Sequence, residues 1–171
     1  MLLPVFVLTT PLFVSCSDKD DVMRTPEDIL GVWSKTQDSY LQFNDDNYAR
    51  PFTVMYQDGE SIGRWGDDDV YYYDPGYNLV IYVTAAHEAD VYQIISLTES
   101  AFTWCWVDKI EDTDSDSVGE IIGEIINKAQ EGYKLNPELY ETFYKIPSLQ
   151  FEELLESLDI IYYPWDDDND W

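Results

Sequence analysis

The chain has 171 residues, enough for one domain of ordinary size with a sizeable core, and 16% of them are aromatic. Its formal net charge at pH 7 is -26, which is extreme for this length. Because phosphates and anionic lipid surfaces repel such a chain, the charge argues against nucleic acid as a partner and favours a well-solvated surface.

Residues 1–15 carry no charged side chain and form an apolar run that is too short to span a bilayer comfortably. We interpret this segment as a signal peptide, and the small Ser15 before Cys16 is typical of a bacterial lipobox. Such a signal is cleaved before the cysteine, which is then acylated. Cys16 is therefore the predicted lipid attachment site, with a buried N-terminal strand or a non-lipidated signal as the alternatives.

Residues 16–24 form a predicted charged tether between the lipid and the domain, which is assigned to residues 25–171. Acidic residues directly behind the lipid-bearing cysteine resemble the surface-export signal of lipoproteins of the Bacteroides group. This resemblance implies an outer-membrane lipoprotein that contacts the membrane through the lipid on Cys16. We expect the domain to face the cell surface rather than the periplasm.

The domain is predicted to open with a short helix. Thr25 suits the N-cap, Pro26 suits the first helical position, and the acidic pair that follows favours the positive end of the helix dipole. The helix is expected to end at Gly31, and Trp33 to begin the first strand. We predict that Gly31 and Trp33 form the floor of a barrel, with Trp33 as a core residue rather than a ligand contact.

Turn signals divide residues 31–110 at the spacing of an all-β barrel or sandwich rather than of βαβ units. Together with the strand at Trp33, the predicted strands number about eight, and short links favour an up-and-down antiparallel barrel. The predicted strands are Ser39 to Phe43, Tyr48 to Tyr56, Ser61 to Trp65, Val70 to Tyr73, Leu79 to Thr84, Val91 to Leu97 and Ala101 to Ile110.

The last of these strands places Phe102, Trp104 and Trp106 on one face, because residues two apart in a strand point the same way. This aromatic row either lines a cavity for an apolar ligand or is packed solid, as a barrel of this size permits. With Tyr82 and Tyr92, these residues are the candidate ligand-binding set. In the run 71–73 at least one tyrosine is expected to be exposed, where it could stack on a sugar ring.

The Gly31-Val32-Trp33 entry, the strand spacing and the aromatic strand after Leu97-Thr98-Glu99 resemble the lipocalin-like domain family. The resemblance covers roughly residues 29–110 and implies that a small hydrophobic molecule binds in the barrel mouth. It also implies a cationic side chain over Trp33 from the closing strand, for which Lys109 is the nearest candidate.

No catalytic constellation is recognisable, and we expect neither enzymatic activity nor a cofactor. His87 is the only histidine and falls in a predicted loop, and Cys105 is interpreted as a small buried residue. The weak metal candidates are Asp112, Asp114 and Asp116, but the Gly and Glu that an EF-hand loop requires are missing. The alternative is a helix start, with Ser117 as the N-cap.

Residues 117–158 are predicted to form a helical extension of three short amphipathic helices. The first carries Val118 to Ala129, the second follows Pro137 with Leu139, Tyr140, Phe143 and Tyr144, and the third bears Phe151 to Leu158. We expect them to pack on the barrel wall or across its mouth. Ile160 to Tyr163 is a candidate edge strand, and residues 166–171 form an acidic tail.

The sequence thus predicts a mainly β, lipid-anchored lipocalin-like barrel with a helical C-terminal extension. The leading functional hypothesis is a non-catalytic cell-envelope protein that binds a small apolar or aromatic ligand. The alternative is a surface lipoprotein with a solid barrel whose exterior meets a protein or a glycan. The presence of a cavity distinguishes the two.

Overall fold

A computed structural model describes residues 25–85, 88–111 and 117–161. Short 3-10 turns occupy Pro26–Ile29 and Pro137–Leu139. The two helices are α1 (Val118–Glu131) and α2 (Ser148–Glu156). The strands are β1 (Gly31–Thr36), β2 (Ser39–Phe43), β3 (Tyr48–Gln57), β4 (Glu60–Trp65), β5 (Asp69–Asp74), β6 (Leu79–Ala85), β7 (Glu88–Leu97), β8 (Ala101–Ile110), β9 (Tyr140–Ile146) and β10 (Asp159–Ile161).

The strands form a closed antiparallel barrel with eight positions around the ring. Strands β1, β2 and β3 pair in sequence order, β5 to β8 continue the order, and β9 pairs with both β8 and β1. In the last two pairings Phe102 lies opposite Phe143, and Trp33 lies opposite Lys145. Because β9 pairs with both β8 and β1, the backbone N–H and C=O groups on the facing edges of these two strands are hydrogen-bonded. An open sheet would leave those edges unpaired.

Strands β4 and β5 share one position in the ring as a single bent strand. Both run antiparallel to β3, with Phe52 opposite Trp65 in β4 and Ala49 opposite Asp69 in β5. The bend falls opposite Pro51, which has no backbone N–H to donate to a neighbouring strand. Gly66 fits against the Pro51 ring so closely that a Cβ there would lie 2.6 Å from the proline Cγ. Beyond the bend β4 leaves the barrel, and β10 pairs with it in parallel.

The mainly β fold and its antiparallel neighbours confirm the fold class predicted from the sequence. The predicted bounds of β2 and β8 are also the observed ones. The second predicted helix is wrong, because Tyr140–Ile146 is strand β9, and only Pro137–Leu139 before it forms a 3-10 turn. The barrel therefore does not end at residue 110, since its last position is filled from within the predicted helical extension.

The turn before β1 is tighter than the sequence predicts, and it lies against a buried Trp33. Pro26–Ile29 forms a 3-10 turn, and the indole N–H of fully buried Trp33 donates to the Ile29 carbonyl at 2.7 Å. Gly31 belongs to β1 rather than to a helix end, and its φ of 118° is one that L side chains rarely adopt. The turn and the indole together close one end of the ring, which we call the floor end.

The barrel interior is filled with large side chains from the floor end upward. Trp33, Phe43 and Phe102 are at most 2% exposed, and their rings meet edge to face with centroids 4.9 to 6.2 Å apart. The interior cluster consists of Ile29, Trp33, Leu41, Phe43, Ala49, Tyr71, Tyr73, Val80, Tyr82, Ile94, Phe102, Trp104 and Phe143. Packing of this kind leaves no room for a ligand next to the floor.

Both helices cover the outside wall and leave the end opposite the floor open. Helix α1 begins after Ser117, whose side chain accepts from the Glu120 N–H, so the predicted N-cap is confirmed. It buries Ile121 and Ile125 against the outward side chains of β6 and β7. Helix α2 buries Phe151 against Phe52 of β3. Of the two predicted placements, the wall is therefore the observed one.

The short strand β10 confirms the predicted edge strand as far as Ile161. Among the residues described, no helix has both the length and the apolar character needed to cross a bilayer.

Candidate functional site

A pocket of about 500 Å³ opens at the end of the barrel opposite the floor. Its walls come from the last residues of β1, from the upper parts of β7 and β8, and from the turn before β9 together with the first residues of β9. The residues that line it are Lys35, Thr36, Tyr92, Trp106, Glu138, Leu139, Tyr140, Glu141 and Thr142. We call this the open-end pocket. Its volume is in the range of small-molecule sites.

The candidate ligand-binding residues divide between the core and this pocket. Phe102 is fully buried, and its ring stacks on Phe143 with centroids 4.7 Å apart, so it belongs to the core. Trp104 and Tyr82 are only 5% and 7% exposed and lie one layer higher. Tyr92 and Trp106 line the open-end pocket, and Trp106 keeps 41% of its surface exposed.

Three aromatic rings form a continuous wall beneath the pocket. Tyr92 stacks on Trp104 with ring centroids 4.3 Å apart and an angle of 25° between the planes. Tyr82 meets both of these rings edge to face, at 5.7 and 5.9 Å. The wall is therefore held in place by the packed core before any ligand arrives, which reduces the entropic cost of binding.

Glu141 is the polar centre of the pocket and connects it to the core. Its carboxylate accepts from the Lys35 ammonium at 2.5 Å and from the Trp104 indole N–H at 3.1 Å. Burial acts to raise the pKa of Glu141, but the hydrogen bonds from Lys35 and Trp104 outweigh it and hold the pKa below its usual value. Glu141 is therefore a carboxylate at neutral pH.

Further carboxylates surround the rim beside Tyr92. Asp90 accepts from the Trp106 indole N–H at 3.1 Å, which orients that ring at the pocket edge. The pKa of half-buried Asp69 is raised by burial, then by its neighbours Asp67 and Asp68 and by Asp90. Burial, followed by Asp90, Glu141 and Asp69, raises the pKa of Tyr92 to about 12. The mouth of the barrel is thus both aromatic and strongly acidic.

Tyr82 has a buried hydroxyl with no hydrogen-bond partner among the residues that the structure describes. Burial raises its pKa well above the usual value of 10.0, and the Tyr92 hydroxyl and Asp69 raise it further. An unpaired buried hydroxyl destabilises the folded state by about 1 to 3 kcal/mol. Tyr82 packs against Tyr92 and lies outside the pocket lining.

Replacing Tyr82 by Phe should therefore increase the free energy of unfolding at pH 7, by about 1 kcal/mol once lost packing is allowed for. The folded protein also holds the Tyr82 proton above pH 10, where the unfolded chain releases it. Stability of the natural protein should thus fall as the pH rises beyond 10, and more steeply than that of Tyr82→Phe.

Guanidinium unfolding of both proteins at pH 7, 10 and 11 measures these two effects. If Tyr82→Phe is less stable than the natural protein at pH 7, the Tyr82 hydroxyl must have a hydrogen-bond partner.

At the floor, Lys145 rather than Lys109 supplies the cation over Trp33. The Lys145 ammonium lies 4.8 Å from the centroid of the Trp33 ring, and a Cβ at Gly31 would lie 3.1 Å from the Lys145 Cε. Lys109 instead contacts Glu111 at 2.5 Å and Glu88 at 3.9 Å. The choice of Lys109 was wrong because the strand that closes the ring is β9, not β8.

The sequence did not point to Lys35 or to residues 138–142 as parts of a site, although they are six of the nine residues that line the pocket. Nothing in the local pattern of Lys35 marks it, since its partner Glu141 lies 106 residues further along the chain. Glu141 itself fell in a segment predicted to be helical. The exposed Tyr72, by contrast, follows the predicted alternation, because Tyr71 and Tyr73 are buried on either side.

Several predicted positions lie outside the described residues, namely Cys16, His87, the metal candidates Asp112, Asp114 and Asp116, and residues 166–171. Within the described part of the chain, no group of three His, Cys, Asp or Glu side chains is arranged to hold a metal ion. Cys105 is fully buried, as predicted, and its thiol lies 3.3 Å from the Trp106 carbonyl oxygen.

The ring of eight antiparallel positions, with a turn beneath a buried tryptophan, is consistent with a lipocalin-like fold. When the chain is compared with known proteins, no family model matches it, and no curated protein or solved structure matches it.

Proposed function

We propose that this protein is a lipid-anchored, lipocalin-like protein of the cell envelope that binds a small apolar or aromatic ligand without catalysis. The observation that carries the proposal is the open-end pocket, whose aromatic wall is fixed by the core while the floor is packed shut. Both Tyr92 and Trp106 offer apolar surface there, and ordered polar groups at Glu141 and Asp90 would orient a ligand.

A neutral apolar probe tests whether the pocket binds a small molecule. The fluorescence of N-phenyl-1-naphthylamine should rise on addition of the protein lacking residues 1–16, and Trp106→Ala should weaken this binding by about tenfold, the effect of a buried aromatic contact. Tyr56→Ala is the matched control, because Tyr56 is 78% exposed on β3 and does not line the pocket.

Equal binding by all three proteins would place the probe elsewhere, and no binding by any of them would contradict the proposal. Native mass spectrometry of the same sample would reveal a ligand carried from the host, as extra mass that is lost on denaturation.

The proposed lipid anchor is tested separately at Cys16. In a host of the Bacteroides group, we expect the natural chain to incorporate labelled palmitate and to fractionate with the outer membrane. Cys16→Ala should lose the label and leave the membrane fraction, because no second anchor is proposed. Protease treatment of intact cells then separates cell-surface from periplasmic exposure, and retention of the label by Cys16→Ala would refute lipidation at this residue.

The exterior supports a second candidate, an interaction surface for a glycan. Tyr48, Val70 and Tyr72 are 38 to 40% exposed near the junction of β3 and β5, where Tyr48 pairs with Val70. Exposed tyrosines in such a row can stack on sugar rings. Glycan binding that is lost in Tyr72→Ala but kept in Trp106→Ala would favour this function over the pocket.

A further inference from the structure

We propose that the open-end pocket selects an organic cation, that is, an amine or ammonium group carried on an apolar or aromatic body. This inference rests on the proposed function and narrows it to one chemical class. It comes from the charge balance of the pocket and from its aromatic wall.

The pocket and its rim carry more carboxylates than ammonium groups. Glu138 and Glu141 line the pocket. Asp90 accepts from the Trp106 indole of the lining, and Asp69 lies near enough to Tyr92 to raise its pKa. Against them Lys35 is the one basic side chain of the pocket lining within the described residues, and it is held by Glu141. The electrostatic potential at the pocket is therefore negative, and the net charge of -26 attracts cations to the protein as a whole.

The aromatic wall offers a cation the second kind of contact that it needs. Tyr92 and Trp106 both present ring surface to the pocket, and Tyr140 adds a third ring at its edge. Aromatic faces attract an ammonium group within about 6 Å of their centres. The same rings can pack against the apolar body of the ligand. A single molecule can therefore contact the aromatic rings and the carboxylates at the same time.

Lys35 shows that the pocket already holds an ammonium group. Its Nζ lies 2.5 Å from a Glu141 oxygen, while the other oxygen of that carboxylate accepts from Trp104. Lys35 is 43% exposed at its side chain, so it can swing away. A ligand ammonium that takes its place would bind the same carboxylate, and the Lys35 stem would then be free to enter solvent.

Tyr82 is a polar group next to the aromatic wall, outside the pocket lining. Its side chain is 7% exposed, it lies directly behind Tyr92, and its hydroxyl lacks a partner among the described residues. A phenol hydroxyl both donates and accepts hydrogen bonds, so Tyr82 could pair with a ligand of either charge. The preference for a cation therefore comes from the carboxylates and the aromatic faces, which an anion would meet unfavourably.

Three indoles of similar size and different charge test the selection by isothermal titration calorimetry. Tryptamine is a cation at pH 7, 3-ethylindole is neutral and indole-3-acetate is an anion. We expect tryptamine to bind at least tenfold more tightly than 3-ethylindole, and indole-3-acetate to bind most weakly. Binding of 3-ethylindole as tight as that of tryptamine would overturn the cation inference and leave the proposed function intact, whereas absence of binding by all three would count against both.

Two variants test the site itself. Glu141→Gln keeps an acceptor for Trp104 but removes the charge, and should lower tryptamine affinity about fivefold, as for a partly screened ion contact. Lys35→Met removes the competing ammonium and should raise tryptamine affinity while lowering that of indole-3-acetate. Glu153→Gln on α2 is the matched control, because it makes the same change of net charge outside the pocket lining.

If Glu153→Gln weakens tryptamine as much as Glu141→Gln does, the attraction belongs to the whole surface and the pocket is not selective. If Glu141→Gln fails to fold, Lys35→Met still decides, since unchanged or reduced tryptamine affinity in that variant contradicts the inference. Competition by calcium or potassium chloride at equal ionic strength distinguishes an organic cation site from a metal site, and selective displacement of tryptamine by calcium would favour the metal.

Discussion

A chain truncated after Glu131 should fail to fold cooperatively, although it retains every strand up to Ile110. Strand β9 pairs with both β8 and β1, so its removal leaves two long edges unpaired at once. It also uncovers Trp104 and Phe102, whose rings pack on Phe143 at 5.0 and 4.7 Å. Near-ultraviolet circular dichroism and thermal unfolding should show a loss of fixed aromatic packing and of a sharp transition.

Two single substitutions on β9 refine this prediction without changing the length of the chain. Phe143 points inward and is 5% exposed, so Phe143→Ala should cost about 3 to 5 kcal/mol of unfolding free energy. Its neighbour Tyr144 points outward and is 59% exposed, and Tyr144→Ala should cost less than about 1 kcal/mol. Similar losses at both positions would contradict a strand whose two faces differ in burial.

The second large effect is expected at the floor, where Trp33→Ala should destabilise the protein by about 3 to 5 kcal/mol, as for other buried aromatic residues. The substitution removes a fully buried indole, its hydrogen bond to the Ile29 carbonyl and its edge-to-face contact with Phe102. Guanidinium unfolding followed by far-ultraviolet circular dichroism measures the loss, since the change in tryptophan content complicates fluorescence.

Trp106→Ala is the matched control for Trp33→Ala, because it removes the same side chain at the other end of the barrel. Trp106 is 41% exposed and should cost about 1 kcal/mol or less, while weakening binding in the pocket. A floor substitution that cost no more than this one would show that the Trp33 end is not the structural anchor that its burial indicates.

The sequence predicts those elements in which apolar residues recur at the strand or helix period and are buried on one face. In β8, buried Phe102 and Trp104 lie on either side of the more exposed Thr103, and in α1 the buried Ile121 and Ile125 recur at helical spacing behind the Ser117 N-cap. Each of these patterns presents an apolar face to the core or to the wall, so the sequence alone suffices to place the element.

Strand β9 could not be predicted in this way, because charged residues occupy its inward face. Glu141, Phe143 and Lys145 share that face, and the flanking charges hide the alternation around Phe143. They are tolerated because Glu141 accepts from Trp104 and Lys145 lies over Trp33, contacts that only the closed ring creates. Seen alone, Leu139, Tyr140, Phe143 and Tyr144 have helical spacing, and tertiary partners override it.

The same cause limits how far the site could be predicted. Tyr92 and Trp106 were among the candidates because aromatic residues are visible in a sequence. Lys35 and Glu141 were not, since their role depends on the pairing of the first strand with the last. A pocket built where two distant segments meet has no local signature.

The pairing of β1 with β9 also determines when, during synthesis of the chain, the barrel can fold. More than a hundred residues separate Lys35 from Glu141 along the chain, so the ring cannot close until nearly the whole domain is available. Non-local contacts of this kind slow folding to about the millisecond-to-second range. A chain still emerging from the ribosome, with β9 not yet made, therefore remains open.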